Sequence, residues 1–190
     1  YRIDEDVVDE MLHHARKEHA ANLGSLLAWE LTRGTDIPAY FVDPVSVDEL
    51  PDVARVTGFA EMERVSFVHA LNHRSMARKA ASMLGKTYDQ CNFVVAHLGG
   101  GISLSAHVGG RIVETIGDDE GPFSPERAGS IPALELIKMC FSGKYTAADM
   151  KKMMRTIAAN PIEPCPIFSC LSLWLAKGFL LSFTWSAFSL

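Results

Sequence analysis

The chain has 190 residues and a formal net charge of −5, and charged residues make up 22% of it. This mildly acidic balance, with scattered basic residues, gives no electrostatic reason to expect nucleic acid or a membrane surface as a partner. The four cysteines form no CxxC pair and no regular framework, so a reducing compartment, the cytoplasm, is the expected location. The first residue is Tyr1 rather than Met, and we expect the natural start to precede it.

Helices and one strand are predicted in the first part of the chain. Apolar residues recur on one side of the segments Asp4 to Lys17 and Asn22 to Thr32, which indicates two helices. The run PAYFVD, Pro38 to Asp43, is typical of a short buried strand. A third helix is predicted from Leu71 to Leu84, because a glycine directly follows it.

Three strands are predicted next, interrupted by glycines. Asn92 to His97 forms the first strand, and the triplet Gly99 to Gly101 separates it from Ile102 to Val108, whose side chains alternate in polarity. The pair Gly109-Gly110 predicts a hairpin turn, since both positions tolerate positive φ, and Arg111 to Ile116 is the third strand. These strands form an antiparallel meander, and helices before and after them argue for an α/β protein.

The chain continues with two predicted helices and an unusual tail. The helices run from Ile131 to Phe141 and from Ala147 to Met154, with Thr146 and Asp149 as a capping box. From Pro161 to Leu190 the sequence is aromatic and nearly uncharged, approaching the roughly 20 apolar residues of a membrane helix, but Lys177 interrupts it. We favour a non-native tail, from a frameshift or a misassigned exon, and expect it to make few contacts with residues 1–150.

The glycine triplet has two interpretations. Three glycines between strands expose backbone N–H groups, and such loops bind phosphate oxygens. The same run also suits a tight turn without a ligand. No GK[ST] follows it, as a Walker loop requires, and a strand rather than a helix comes next, which excludes a dinucleotide fingerprint.

An arginine in a stiff loop favours the phosphate interpretation. The segment Gly121 to Arg127 contains two prolines and a glycine, which would hold the Arg127 guanidinium in a fixed pose. Phosphoryl transfer needs such a cation, because charge spreads over the equatorial oxygens of the transferred group. The alternative is an arginine that only braces its loop.

Three runs in this sequence resemble butyrate kinase, a relative of acetate kinase. They are ANLGSLLAWEL from Ala21, IPAYFVDPVSVDELPDVARVTGFAEMERVSFVHALNHRSMARKAA from Ile37, and NFVVAHLGGGISLSAHVGGRIVETIGDDEGPFSPERAGSIPALELIKMCFSGKYT from Asn92. The resemblance extends from about Asp4 to Met154 and stops near Arg155.

The resemblance implies an α/β protein with the actin-like ATPase fold, built on ribonuclease H-like cores. It is expected to be incomplete, with two partial lobes. Residues 1–46 would be the C-terminal part of the first lobe and residues 47–160 the N-terminal part of the second, nucleotide-binding lobe. Residues 161–190 would be the non-family tail.

The resemblance also assigns site residues. The ATP phosphate loop and its neighbour would be His97, Leu98, Gly99, Gly100, Gly101 and Ser103. Arg127 resembles the arginine that stabilises the transferring phosphoryl group, and His69, in FVHALNH, matches a histidine that hydrogen-bonds it. Asp43, in FVDP, matches an aspartate that orients groups around the substrate carboxylate and the metal-bound water.

The activity implied is phosphoryl transfer from ATP, with Mg²⁺ bound to the nucleotide, to butanoate, giving butanoyl phosphate and ADP. No direct protein ligand for the metal is assigned. The partners expected are a small carboxylate and, for the parent enzyme, further copies of itself, with no nucleic acid and no membrane. Two alternatives stay open: a non-catalytic remnant that retains at most a phosphate-binding loop, and a fragment anchored to a membrane by its tail.

Overall fold

A four-stranded sheet with one long helix packed on it forms the centre of the molecule. The computed structural model describes residues 1–15, 19–117 and 119–155, and the backbone of residues 181–185. The helices are α1 (Glu5–Asp9), continued by a π-helical turn (Glu10–His14), α2 (Asn22–Thr32), α3 (Asp52–Arg55), α4 (Ala70–Met83), a 3₁₀ turn (Tyr88–Gln90), α5 (Ala133–Cys140) and α6 (Ala147–Arg155). The strands are β1 (Asn92–Leu98), β2 (Ile102–Val108), β3 (Arg111–Ile116) and β4 (Leu181–Trp185), in the spatial order β3-β2-β1-β4.

The predicted meander is confirmed. β1 pairs with β2 and β2 with β3, both antiparallel, and Leu98 faces Ile102 across the glycine triplet. Gly109 and Gly110 have φ values of 57° and 80°, a conformation in which any other residue would be strained. The hairpin therefore depends on the glycine pair, as the sequence predicted.

Most predicted helices lie where expected. Helix α2 has the predicted limits, α4 is displaced by one residue at each end, and α6 extends one residue further. Helix α5 begins two residues later than predicted and ends one residue earlier. The capping box is present, because the Asp149 amide donates to Thr146 Oγ1 at 3.2 Å and the Thr146 amide donates to Asp149 Oδ2 at 2.9 Å. The first helix is shorter than predicted within the described residues, ending with the π-helical turn at His14.

The predicted buried strand from Pro38 to Asp43 is wrong. Among the described residues, the backbone of this segment forms an isolated antiparallel bridge between Arg2 and Tyr40, and its backbone hydrogen bonds join residues 1–3 to residues 39–41. Tyr40 and Val42 are 62% and 58% exposed. The short apolar run has a partner of only three residues, so no strand extends from it.

The expectation that the tail makes few contacts with residues 1–150 is also wrong for one segment. Residues Leu181–Trp185 form β4, which pairs in parallel with β1 along Val94 to Leu98. The reason is that an unpaired edge of β1 offers backbone N–H and C=O groups that any strand can satisfy. The rest of the tail lies outside the described residues. The division of the chain at residues 46 and 160 stays a prediction.

Small side chains allow α4 to approach the sheet closely. Ala70, Ala77 and Ala81 are each 1% exposed and lie on one face of α4 together with His73, which is fully buried. Ala70 also belongs to an apolar cluster, whose members are Val47, Val68, Ala70 and Ile112. This close packing brings polar groups of α4 and β2 into contact. Among the described helices, none is long and apolar enough to span a bilayer.

Candidate functional site

The glycine triplet forms the connection between β1 and β2. The Gly99 amide donates to the Gly101 carbonyl oxygen at 3.1 Å, which closes the turn. Each glycine also faces a polar side chain closely. A Cβ on Gly100 would lie 2.5 Å from Glu126 Oε1, and one on Gly99 would lie 3.0 Å from His97 Nε2. A side chain at either position would therefore displace the group beside it.

Two predicted histidines meet at this turn. His69 precedes α4 and His97 lies near the end of β1, and their rings stack with centroids 3.8 Å apart and planes inclined by 12°. The His69 ring lies against Gly101, with Cε1 3.4 Å from a Cβ built there. Burial lowers the pKa of His97, which suits a stack that two cationic rings would destabilise by repulsion. His97 Nδ1 is buried with no hydrogen-bond partner among the described residues.

A polar face of β2 lies buried beneath α4. Ser103, Ser105 and His107 alternate along the strand and are 1%, 3% and 0% exposed. Ser103 Oγ lies 2.8 Å from His69 Nδ1 and 2.9 Å from His73 Nε2. Both histidines are on α4 or its N-cap, four residues apart, so one helix face presents them to the strand.

The same set of contacts continues away from the glycine turn. Ser105 Oγ hydrogen-bonds His73 Nδ1 and lies 2.6 Å from His107 Nε2. The Tyr88 hydroxyl oxygen lies 2.5 Å from His107 Nδ1. We call this set the serine–histidine chain; its members are His69, Ser103, His73, Ser105, His107 and Tyr88.

Burial keeps the inner rings of this chain uncharged. Desolvation lowers the pKa of His73 to about 3, assisted by the neighbouring histidines, and lowers that of His107 to about 4. For His107 the charge of Arg74 acts in the same direction and that of Glu49 opposes it. Both rings therefore titrate well below neutral pH.

Sequence reasoning missed most of the serine–histidine chain. It selected His69 and Ser103 but not His73, Ser105, His107 or Tyr88. A signal was present, because histidines at positions 69 and 73 share a helix face and polar residues at 103, 105 and 107 share a strand face. Two polar faces of this kind can satisfy each other when they pack together.

The loop of Arg127 contacts the glycine triplet through its neighbour. The Glu126 amide donates to the Gly100 carbonyl oxygen at 3.1 Å, and the Glu126 carboxylate covers Gly100. Arg127 Nη1 donates to the Glu126 carbonyl oxygen at 3.0 Å and lies 3.8 Å from Glu126 Oε2. The structure thus brings the Arg127 loop to the triplet, while the catalytic role of Arg127 stays a prediction.

Asp43 belongs to a separate set of ion pairs. Its carboxylate contacts Arg74 Nη1 and lies 3.9 Å from Arg78 Nη1. Arg74 also pairs with Glu49 at 2.5 Å. Burial alone would raise the pKa of Glu49, but a hydrogen bond from the Ile112 amide and the Arg74 guanidinium hold that pKa below its ordinary value. The described contacts of Asp43 are thus with α4 arginines rather than with the glycine triplet, and its predicted role is untested.

The described residues contain no group of three or more histidine, cysteine or acidic side chains arranged to hold a metal ion. The Glu126 carboxylate contacts the glycine triplet. A phosphate group over Gly100 would meet this negative charge, and a divalent cation bound with that phosphate would offset part of the repulsion.

Solved carboxylate kinases have the same fold. The chain superposes on acetate kinase from Porphyromonas gingivalis with a TM-score of 0.66 and 19% identity, over 82% of this chain and 42% of that one. A propionate kinase from Francisella tularensis gives a TM-score of 0.61 and 18% identity, over 82% and 43%. The expected actin-like ATPase fold, present in part, is confirmed.

Sequence comparison finds similarity to one family. Residues 62–131 match the acetokinase family. The chain is 51% identical over 156 residues to a protein of Phocaeicola vulgatus named probable butyrate kinase, and 46% identical to one of Listeria monocytogenes with the same name. Each alignment covers 81% of this chain and 44% of the relative, so the chain spans less than half the length of these relatives. The resemblance that the motifs indicated is thus found again, over residues 62–131 for the acetokinase family and over 156 residues for these relatives.

Proposed function

We propose that this chain is part of a carboxylate kinase that transfers a phosphoryl group from ATP to a short-chain fatty acid such as butanoate. The observation that carries the proposal is the glycine turn between β1 and β2, with His69, His97 and the Arg127 loop gathered against it. The similarity to proteins named probable butyrate kinase supports the choice of substrate.

The residues at the turn suit a transition state whose charge spreads over phosphoryl oxygens. The butanoate oxygen attacks the γ-phosphorus, the bond to the ADP oxygen breaks, and butanoyl phosphate and ADP result. Donors that face the developing charge lower the barrier, and His69 Nε2 and the Arg127 guanidinium would supply them. The amides of Gly100 and Gly101 would bind the nucleotide phosphates, and magnesium would enter with the nucleotide and neutralise part of its charge.

A hybrid protein tests the proposal with the residues of this chain in a full-length context. In the hybrid enzyme, the 156 matched residues of the Phocaeicola vulgatus relative are replaced by those of this chain. Acyl phosphate formation is followed as hydroxamate, with the unaltered relative as positive control. We expect the hybrid to convert butanoate with ATP. An inactive hybrid beside an active relative would contradict the proposal and favour a non-catalytic remnant.

Arg127 is tested in the same hybrid. Arg127→Ala should lower kcat by about 10²–10³-fold and leave the KM for ATP nearly unchanged, because the guanidinium would meet charge that develops in the transition state. Arg127→Lys should rescue poorly, since a point charge cannot copy the planar fork. Arg33→Ala, at a side chain 62% exposed and paired with Glu30, is the control and should behave as the parent hybrid. An unchanged kcat with a raised KM would instead assign Arg127 to nucleotide binding.

A further inference from the structure

The serine–histidine chain connects the glycine turn to Tyr88 without interruption. Hydroxyl and imidazole groups alternate along it, and its four inner members are each at most 3% exposed. Such a buried run of polar groups is costly unless every member is satisfied. Its presence between α4 and β2, where apolar side chains would pack, therefore calls for a role.

Counting protons shows that the whole chain must point one way. Five hydrogen bonds join six groups, and each group brings one proton when its ring is neutral. A neutral imidazole that donates through Nε2 must accept at Nδ1. A serine oxygen could accept from both of its neighbouring rings, but its own proton would then lack a partner, because Ser103 and Ser105 have no acceptor outside the chain among the described residues. With every serine proton used inside the chain, reversing one link reverses all the others. In one direction His69 accepts at Nδ1 and carries its proton on Nε2, and in the other the proton lies on Nδ1.

Tyr88 sets the direction. Among the described residues, its hydroxyl forms a hydrogen bond with His107 Nδ1. If His107 donated from Nδ1, the phenol proton would have no acceptor among the described residues and would be left to solvent at this part-buried side chain. If Tyr88 donates, His107 donates from Nε2 to Ser105, and the sequence of donors ends with Ser103 donating to His69 Nδ1. The His69 amide, 3.4 Å from Ser103 Oγ, adds a donor to that oxygen and is compatible with this arrangement.

We propose that Ser103, His73, Ser105, His107 and Tyr88 are positioning residues that hold His69 as a neutral Nε2–H donor facing the glycine turn. The role rests on the proposed function, in which His69 donates to a phosphoryl oxygen. Proton transport is not needed, because butanoate attacks as an anion and no proton is exchanged in the reaction. The chain instead fixes which nitrogen of His69 faces the phosphoryl group: its Nε2 lies 3.6 Å from a Cβ built on Gly101.

A pair of substitutions at the far end tests the proposal on this chain itself. A glutamate at position 88 can only accept at pH 8.5, so Tyr88→Glu should reverse every link and move the His69 proton to Nδ1. A glutamine of the same size retains an N–H donor, so Tyr88→Gln should leave the proton on Nε2. Long-range ¹H–¹⁵N correlation spectra of the histidine-labelled protein report which nitrogen is protonated. Tyr145→Glu, at a tyrosine 40% exposed, controls for the added charge.

Each outcome of the spectra either supports or overturns the proposal. The proposal is supported if His69, His73 and His107 all carry their proton on Nε2 in the parent and the His69 proton moves to Nδ1 only in Tyr88→Glu. The proposal is overturned if the His69 proton lies on Nδ1 in the parent, or if it stays on Nε2 in Tyr88→Glu. If Tyr88→Glu fails to fold, the variants His107→Glu and His107→Gln are compared in the same way. The proposal is supported if the His69 proton moves to Nδ1 only in His107→Glu, and it is overturned if that proton stays on Nε2.

Kinetics of the hybrid enzyme add a separate readout. There Tyr88→Glu should lower kcat by about 10²–10³-fold, as expected for losing one transition-state donor, while Tyr88→Gln changes it little. The KM for ATP should move little in both, whereas a general loss of structure would alter both parameters in both variants. If the hybrid with native Tyr88 is inactive, the proposed function fails, yet the spectra still decide whether Tyr88 fixes the His69 tautomer.

Discussion

Acidification should destabilise this fold because its inner histidines are buried uncharged. His73 and His107 have pKa values of about 3 and about 4 in the folded protein, against an ordinary value of 6.5. Between these values the unfolded chain binds protons that the folded chain does not, so stability falls as the pH falls. At pH 5.5, one unit below 6.5, each buried neutral ring lowers the free energy of unfolding by about 1.4 kcal/mol. The two rings together therefore lower it by roughly 3 kcal/mol relative to pH 7.5. The lowered pKa of His97 acts in the same direction.

Urea unfolding at pH 7.5 and pH 5.5 measures this loss by linear extrapolation. The variant His107→Gln removes one of these rings and retains an N–H toward Ser105. It should be less stable at pH 7.5, but its loss on acidification should be about 1.4 kcal/mol smaller than that of the parent. Carboxylates remain ionised at pH 5.5 and contribute little to the difference. An unfolding free energy that is the same at both pH values would refute the claim that these rings are buried neutral.

Three further substitutions test the packing around the site by urea or thermal unfolding. Gly117→Ala would place a Cβ 2.0 Å from a backbone carbonyl oxygen and should lower the free energy of unfolding by about 3 kcal/mol. The control Gly58→Ala, with open space around it, should change that free energy little. Equal effects of the two substitutions would contradict the close approach at Gly117. Arg74→Leu leaves the Asp43 carboxylate without its closest cation and should cost about 3–5 kcal/mol. Thr146→Ala removes one half of the capping box and should cost about 1 kcal/mol.

The sequence predicted those features that local rules determine. The alternation of side chains located β2, and the pair Gly109-Gly110 fixed the hairpin, because only a few residue types tolerate the required φ. The limits of helix α2 were likewise predicted from the recurrence of its apolar residues. The strand predicted from Pro38 to Asp43 failed because an apolar run indicates a strand only where a partner of sufficient length is available.

The site was predictable only in part. The resemblance selected the glycine turn together with His69 and His97, and the structure brings them together. The alternation in β2 does not say which face is buried, and its polar face is buried against α4 because α4 offers His73 between small alanines. Likewise, the partner of Asp43 is Arg74, which is 31 residues away and is brought close only by the fold.

The most direct test of the proposed phosphoryl transfer is ³¹P NMR of the hybrid enzyme with ATP, magnesium and butanoate. We predict an acyl phosphate resonance that grows in step with ADP, at equal amounts and only when butanoate is present. Release of inorganic phosphate without an acyl phosphate, or no consumption of ATP beside an active unaltered relative, would contradict the claim that the residues of this chain support phosphoryl transfer to a carboxylate.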